Sequence, residues 1–298
     1  MYSVHPLVNC WNRSGIMDIE INRQILMTRA MLACSVELNY SVDNYQFCGL
    51  LVPHIRANND HRLQFNLSTA YYDNDCVRFA LVFHHIGSWN EAEKLAAQVM
   101  EARKEKLGSH HPNTLRSMAD LAVTYQNQGR WDEAENLDVQ LMEARKEKLG
   151  SHHPDTLRSM GNLASTYLSQ RRWDEAEKLK VQVMEASKEK LGSHHPDTLT
   201  SMANLAGTYW NQGRWDEAEK LQVQAVEVSK EKLGSHHPNT LKSMANLAVT
   251  YQSQGRLDEA DVLFAQAVML MEETMGSQHP TTIHFRKLRL SLLEALKG

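Results

Sequence analysis

The tetrapeptide Ser-His-His-Pro recurs every 42 residues, at 109–112, 151–154, 193–196 and 235–238. A worn copy, Ser277-Gln-His-Pro280, falls at the same interval. The blocks between these marks are close copies: those starting at Asp155 and Asp197 agree at 32 of 42 positions. A fixed period in this range builds a stack in which each unit packs on its neighbours, in place of one closed core. A stack of this kind works by displaying an extended surface, so its function depends on what that surface touches.

Each block reads as two helices. In the block 113–154, Leu115, Met118, Leu121, Ala122 and Tyr125 recur at three- and four-residue steps, the spacing of one helix face. Gly129 supplies a left-handed stop. A second helix follows Trp131, with Asp132 and Glu135 at capping-box spacing and Ala134, Leu137, Leu141 and Ala144 as its buried stripe. Lys146 and Lys148 suit the negative end of that helix, and Gly150 stops it. Pro154 opens the next helix, where its missing N–H costs no hydrogen bond.

The run Leu121-Ala122-x-x-Tyr125-x-x-Gln128-Gly129-Arg130-Trp131-x-Glu133-Ala134-Glu135 resembles the tetratricopeptide repeat. The 42-residue period and the Leu-Gly-Ser-His-His-Pro linker resemble the kinesin-light-chain variety, and fungal NLR-type proteins carry very similar near-identical arrays. The resemblance covers roughly residues 70 to 298. It implies an all-α, right-handed superhelical solenoid of antiparallel helix hairpins with a helical N-terminal segment. Arg171 departs from the pattern, standing where the other copies have Gly.

The register places the repeats at about 70–111, 112–153, 154–195, 196–237 and 238–279, with a closing helix at 281–296. In that last helix Arg289 replaces a repeat Leu, as the wetter outer face of a terminal unit requires. Residues 1–69 lack the repeat. Their segment Tyr2-Ser-Val-His-Pro-Leu-Val-x-x-Trp11-x-Arg13 resembles the end of the winged-helix region in fungal NLR-type proteins. Helical stretches around 19–38 and 44–58 then bridge that region to the array, with Ile21, Ile25, Leu26, Leu32 and Leu38 facing its core. On this reading the chain is the C-terminal part of a larger architecture whose nucleotide-binding domain lies upstream.

Five of the ten differences between the blocks starting at Asp155 and Asp197 lie along one line of the first helix. Arg158/Thr200, Gly161/Ala203, Ser165/Gly207, Leu168/Trp210 and Ser169/Asn211 lie at steps of 0, +3, +7, +10 and +11, a single stripe of the first helix. The packing residues between them, such as Leu121, Leu163, Leu205 and Leu247, do not change. Because first helices line the concave face in tetratricopeptide arrays, the resemblance implies a groove lined by Arg116, Gln126, Asn127, Arg158, Leu168, Trp210, Asn211, Lys242 and Gln252. Beside the stripe stand Asp120, Asn162, Asn204 and Asn246, whose family equivalents contact the backbone of a bound peptide. An amide both donates and accepts, and so reads an extended chain without reading its sequence. The alternative is drift of an unpacked face, with the Asn residues solvating the helix or tying repeats together. Trp210 is either an apolar anchor or a ring folded on its own repeat. His84 and His85 fall on the same stripe.

Other chemistry finds little support. The net charge of −4 gives no basic field for nucleic acid. No apolar run of membrane-spanning length and no secretory signal occur in the sequence. Cys10, Cys34, Cys48 and Cys76 form neither a CxxC pair nor a disulfide framework, which suits reduced thiols in the cytoplasm. Nine of the fifteen histidines lie in the linkers, but each pair is two helices from the next, too far for one tetrahedral metal. No phosphate loop, GxSxG or HExxH motif is present. The expectation is therefore a cytoplasmic, non-catalytic module without cofactor or metal that binds a peptide or protein. Its context is a fungal NLR-like receptor, with a kinesin-light-chain-like cargo adaptor or a self-association scaffold as the alternatives.

Overall fold

The computed structural model of the protein describes residues 25, 27–33, 42–64 and 73–295. Among the described residues there are helices and short turns but no strand. A helical segment at 27–33 precedes α1 (Val42–Gln64), which runs through Pro53. Then come α2 (Asp73–His85), α3 (Trp89–Leu107), α4 (Pro112–Asn127), α5 (Trp131–Leu149), α6 (Pro154–Ser169) and α7 (Trp173–Leu191). The series ends with α8 (Pro196–Asn211), α9 (Trp215–Leu233), α10 (Pro238–Ser253), α11 (Leu257–Met275) and α12 (Pro280–Ala295). The expected winged-helix resemblance at Tyr2 to Arg13, and Ile21, Leu26 and Leu38, lie outside the described residues. The chain divides within α5 into two compact units, 1–141 and 142–298.

Local chemistry explains each helix boundary. Every 16-residue first helix opens on the repeat proline, and the second histidine of the linker is its N-cap. The Nδ1 atoms of His111, His153, His195, His237 and His279 accept the backbone N–H two residues on, at 3.1–3.2 Å. The imidazole thus takes the place of the usual Ser or Asp oxygen, satisfying a helix-end donor that has no partner within the helix. Gly129, Gly213 and Gly255 leave these helices at φ 74 to 79°, and Gly150, Gly192 and Gly234 leave the second helices at φ 87 to 89°. Arg171 holds the same left-handed conformation, φ 61°, as the one non-glycine with positive φ among the described residues.

The second helices begin differently from the expected capping box. They start at the Trp or Leu itself, and the N-cap residues Arg172, Arg214 and Arg256 make no side-chain cap bond. Asp132 and its equivalents therefore sit inside the first turn, where a carboxylate meets the positive helix end. The arginine before the helix instead ties hairpins together. Arg214 stacks on Tyr209, 4.3 Å from the ring centroid, and bridges Glu217 at 3.0 Å and Glu177, one repeat back, at 2.8 Å. Gln212 donates to the same Glu177 oxygen at 2.9 Å. Arg130 with Glu93 and Arg256 with Glu219 repeat the arrangement. The Tyr-x-x-Gln-Gly-Arg signature is thus the stacking joint of the array.

In the first unit Leu32, Leu51, Ile55, Phe79, Phe83 and Leu95 form one buried cluster. Arg29 is fully buried beside it, donating to Asn58 and Asn59, with its guanidinium 4.8 Å from the Phe79 ring centroid. Leu32 and Ile25 are buried, as the sequence stripe requires. In the second unit Leu241, Met244, Phe264, Met271 and Leu292 centre the largest cluster, which closes the last hairpin against α12. Arg289 does not simply face solvent: its Nε lies 2.7 Å from Asp261 on α11.

Candidate functional site

Three consecutive helices of the second unit, α6, α7 and α8, enclose a cleft of about 530 Å³. Two first helices form its walls, and the second helix between them forms its floor. Arg158, Gly161, Asn162 and Ser165 line the wall from α6, and Thr200, Ser201 and Asn204 line the wall from α8. Three of the five variable-stripe positions of α6 are therefore cleft-facing. The other two are not: Leu168 and Ser169, with their equivalents Trp210 and Asn211, do not line it.

Lys180 reaches the cleft from α7. Its Nζ donates to the Asn204 backbone carbonyl at 3.3 Å. Burial pushes its ammonium below the ordinary lysine range, and no neighbouring charge opposes the shift. A half-buried cation with only a carbonyl for company attracts a carboxylate. Arg158 at the rim pairs with Asp155 at 3.2 Å. Asn162 and Asn204 both line the cleft, and a side-chain amide can donate and accept.

The remaining stripe residues are engaged in other ways. The Asn127 and Asn211 amides turn back onto their own helices, donating to the carbonyls of Val123 and Gly207 at 2.8 Å. Asn127 also meets His84 at 3.0 Å. Gln126 donates to Asp138 at 3.2 Å. Trp210 is 39% exposed and is not folded on its own repeat. Its Nε1 donates across to Ser253 on α10 at 2.9 Å, so the indole bridges two hairpins. Arg116 and Lys242 are exposed, while Leu168, Asn246 and Gln252 are half-buried.

The floor position was missed in the sequence, although a signal for it exists. Ala96, Asp138, Lys180, Gln222 and Phe264 are equivalents at 42-residue spacing. This position lies four residues after the repeat alanine and three before the Leu141 class, so it points inward. It nonetheless changes in size and charge at every copy. Asp138 and Gln222 are buried polar groups, and the Gln222 Oε1 has no hydrogen-bond partner.

The tetratricopeptide repeat family model matches residues 67–147, 119–189, 161–210 and 197–273. The chain belongs to the tetratricopeptide repeat family. A Podosopora anserina chain of nearly identical TPR-like repeats, named after the kinesin light chain, is 34% identical to it. That match covers 67% of this chain and 94% of the other, at TM-score 0.61. Its Q17M form is 32% identical over 70% of this chain and 99% of the other, at TM-score 0.64. NprR in complex with its cognate peptide NprX shares the fold, at 13% identity and TM-score 0.51 over 97% of this chain and 77% of that one. No curated protein matches. The tetratricopeptide repeat is a protein-interaction scaffold, and this array has the all-helical, hairpin-on-hairpin packing of that scaffold. Among the described residues no helix is long and apolar enough to cross a membrane.

Proposed function

We propose that the chain is the non-catalytic recognition part of a cytoplasmic, fungal NLR-like receptor, and that it takes an extended peptide or protein segment into the α6–α7–α8 cleft. One observation carries the reading: three first-helix positions that differ between copies (Arg158, Gly161 and Ser165) line the same cleft as Asn162, Asn204 and the carboxylate-free Lys180. The two amides would hold the ligand backbone. Lys180 would select an acidic side chain, because a carboxylate offsets the cost of its partial burial. The likeness to a chain named after the kinesin light chain favours a second reading, a cargo adaptor using the same cleft. Trp210, Gln126 and Asn127 would then act as stacking contacts more than as ligand anchors. A displayed random-peptide library, selected on the protein and on an N162A/N204A/K180E variant of unchanged helicity, tests the assignment. Enrichment of acidic sequences on the first and their loss on the second is expected. Equal enrichment on both would sink it and leave self-association, read by sedimentation, as the role of the array.

A further inference from the structure

The first unit repeats the same three-helix slot with different chemistry. Here α2 and α4 are the walls and α3 is the floor, and the floor residue is Ala96. Where later copies carry Asp, Lys, Gln or Phe, the small methyl leaves the slot empty. The result is a half-open cavity of about 140 Å³ lined mainly by Val77, Ala80, Leu81, Ala96, Val99 and Val123. A dry apolar cavity of roughly 150 Å³ accommodates benzene.

One acidic group stands at its edge. Asp120 lines the cavity from α4, in the register position held by Asn in the next three copies. Although open on its solvent side, its carboxyl is pushed above the usual range by burial, against the opposing pull of Arg116, Arg103 and His84. None of the three pairs with it directly. Arg103 is spent on Ser117 and on the carbonyl of Asn113. His84 is held by Asn127 and by the edge of the Trp89 ring, 4.8 Å between centroids, and its own desolvation, chiefly, disfavours a charge there. The slot thus combines a benzene-sized apolar hole with a carboxylate that no side chain among the described residues pairs with directly.

We propose that this slot is a second binding site, for an apolar group of about benzene's size joined to a cation, as in an arylalkylammonium or a phenylalanine beside a lysine. Charge complementarity selects the occupant: an ammonium next to Asp120 meets a carboxylate that no cation pairs with directly, while the apolar group fills the volume vacated at Ala96. This site is built wholly from the first unit and does not rest on the reading of the α6–α7–α8 cleft.

The test is a methyl-resolved NMR titration of the full chain with benzylamine, benzyl alcohol, methylamine and the blocked dipeptide N-acetyl-Phe-Lys-amide. Benzylamine or the dipeptide should shift the methyl signals of Val77, Val99 and Val123, and which of the two binds more tightly identifies a free amine or a peptide as the source. Benzyl alcohol, of equal shape but neutral, should bind about five- to ten-fold more weakly, and methylamine should leave the methyls unmoved. Ala96→Phe, which installs the side chain found at Phe264, should abolish the shifts. Asp120→Asn should reduce benzylamine to the affinity of benzyl alcohol. Since Asp120 is solvent-facing, this second variant keeps the test decisive if Ala96→Phe fails to fold. Absence of shifts at these valines with both benzylamine and the dipeptide, or unchanged benzylamine binding by Asp120→Asn, would overturn the proposal.

Discussion

The Lys180 ammonium and the Asn204 carbonyl, 3.3 Å apart, join a second helix to the first helix of the following hairpin across the floor of a cleft. That contact identifies a position through which each copy sets the chemistry of its own slot. Ala96 leaves an apolar hole, Lys180 presents a cation, and Phe264 fills its place in the core.

Lys180→Met should stabilise the protein at neutral pH. Burial lowers the folded-state affinity of Lys180 for its proton, so folding is penalised while the group is charged. The penalty is complete below the folded value and fades as pH rises from there towards the unfolded value, near 10.4. Thermal melts should show the Met variant ahead at pH 7 and its advantage shrinking as pH rises towards the unfolded lysine value. A Met variant that melts lower at pH 7 would refute the desolvation account.

Arg171→Gly should raise stability by about 0.5–1 kcal/mol, because a side chain in the left-handed region carries a steric cost that glycine avoids. Urea titration reads it as a higher midpoint with unchanged slope. No gain would mean that the side chain recovers the cost through contacts.

His195→Ala should cost about 1 kcal/mol by removing the acceptor for the Asp197 N–H, 3.2 Å away. His195→Asn should restore most of it, since Asn is a good N-cap. Equal losses in both variants, measured by chemical denaturation, would show that the ring packs more than it caps.

Acid should loosen the stacking joints. Burial pushes the Glu177 carboxyl up, but hydrogen bonds from Gln212 and Arg214 outweigh it, and the net direction is down. Glu219 behaves likewise with Gln254 and Arg256. A depressed folded value means the contribution is present above the unfolded carboxylate value, near 4.3, and is lost as pH falls through the folded value. Melting temperature should therefore drop below about pH 4, and Arg214→Ala should flatten that part of the profile. An unchanged slope in the variant would place the acid sensitivity elsewhere.

Hairpins and their ends were legible in the sequence because each depends on local rules repeated in register. Leu115, Met118 and Leu121 mark a buried face by spacing alone, and Pro154 and Gly150 mark helix ends by what their backbones allow. In the second unit the upper half of the variable stripe, Arg158, Gly161 and Ser165, lines a cleft. The lower half was not legible: whether Asn211 reaches out or bonds its own helix, and whether Trp210 is free or bridges to Ser253, depends on what the next hairpin puts within reach. The capping histidines were hidden for a related reason, since His is not a preferred N-cap and only the backbone geometry aims its Nδ1 at the N–H.

The sequence by itself determined the repeating all-helical architecture, because the 3.6-residue period, the caps and the 42-residue register all act within one hairpin or between copies of it. Only the tertiary structure decided which side chains share a slot. That choice depends on how three helices from two hairpins close around the floor residue: Ala96 with apolar walls makes an apolar cavity, and Lys180 with polar walls makes a cationic cleft.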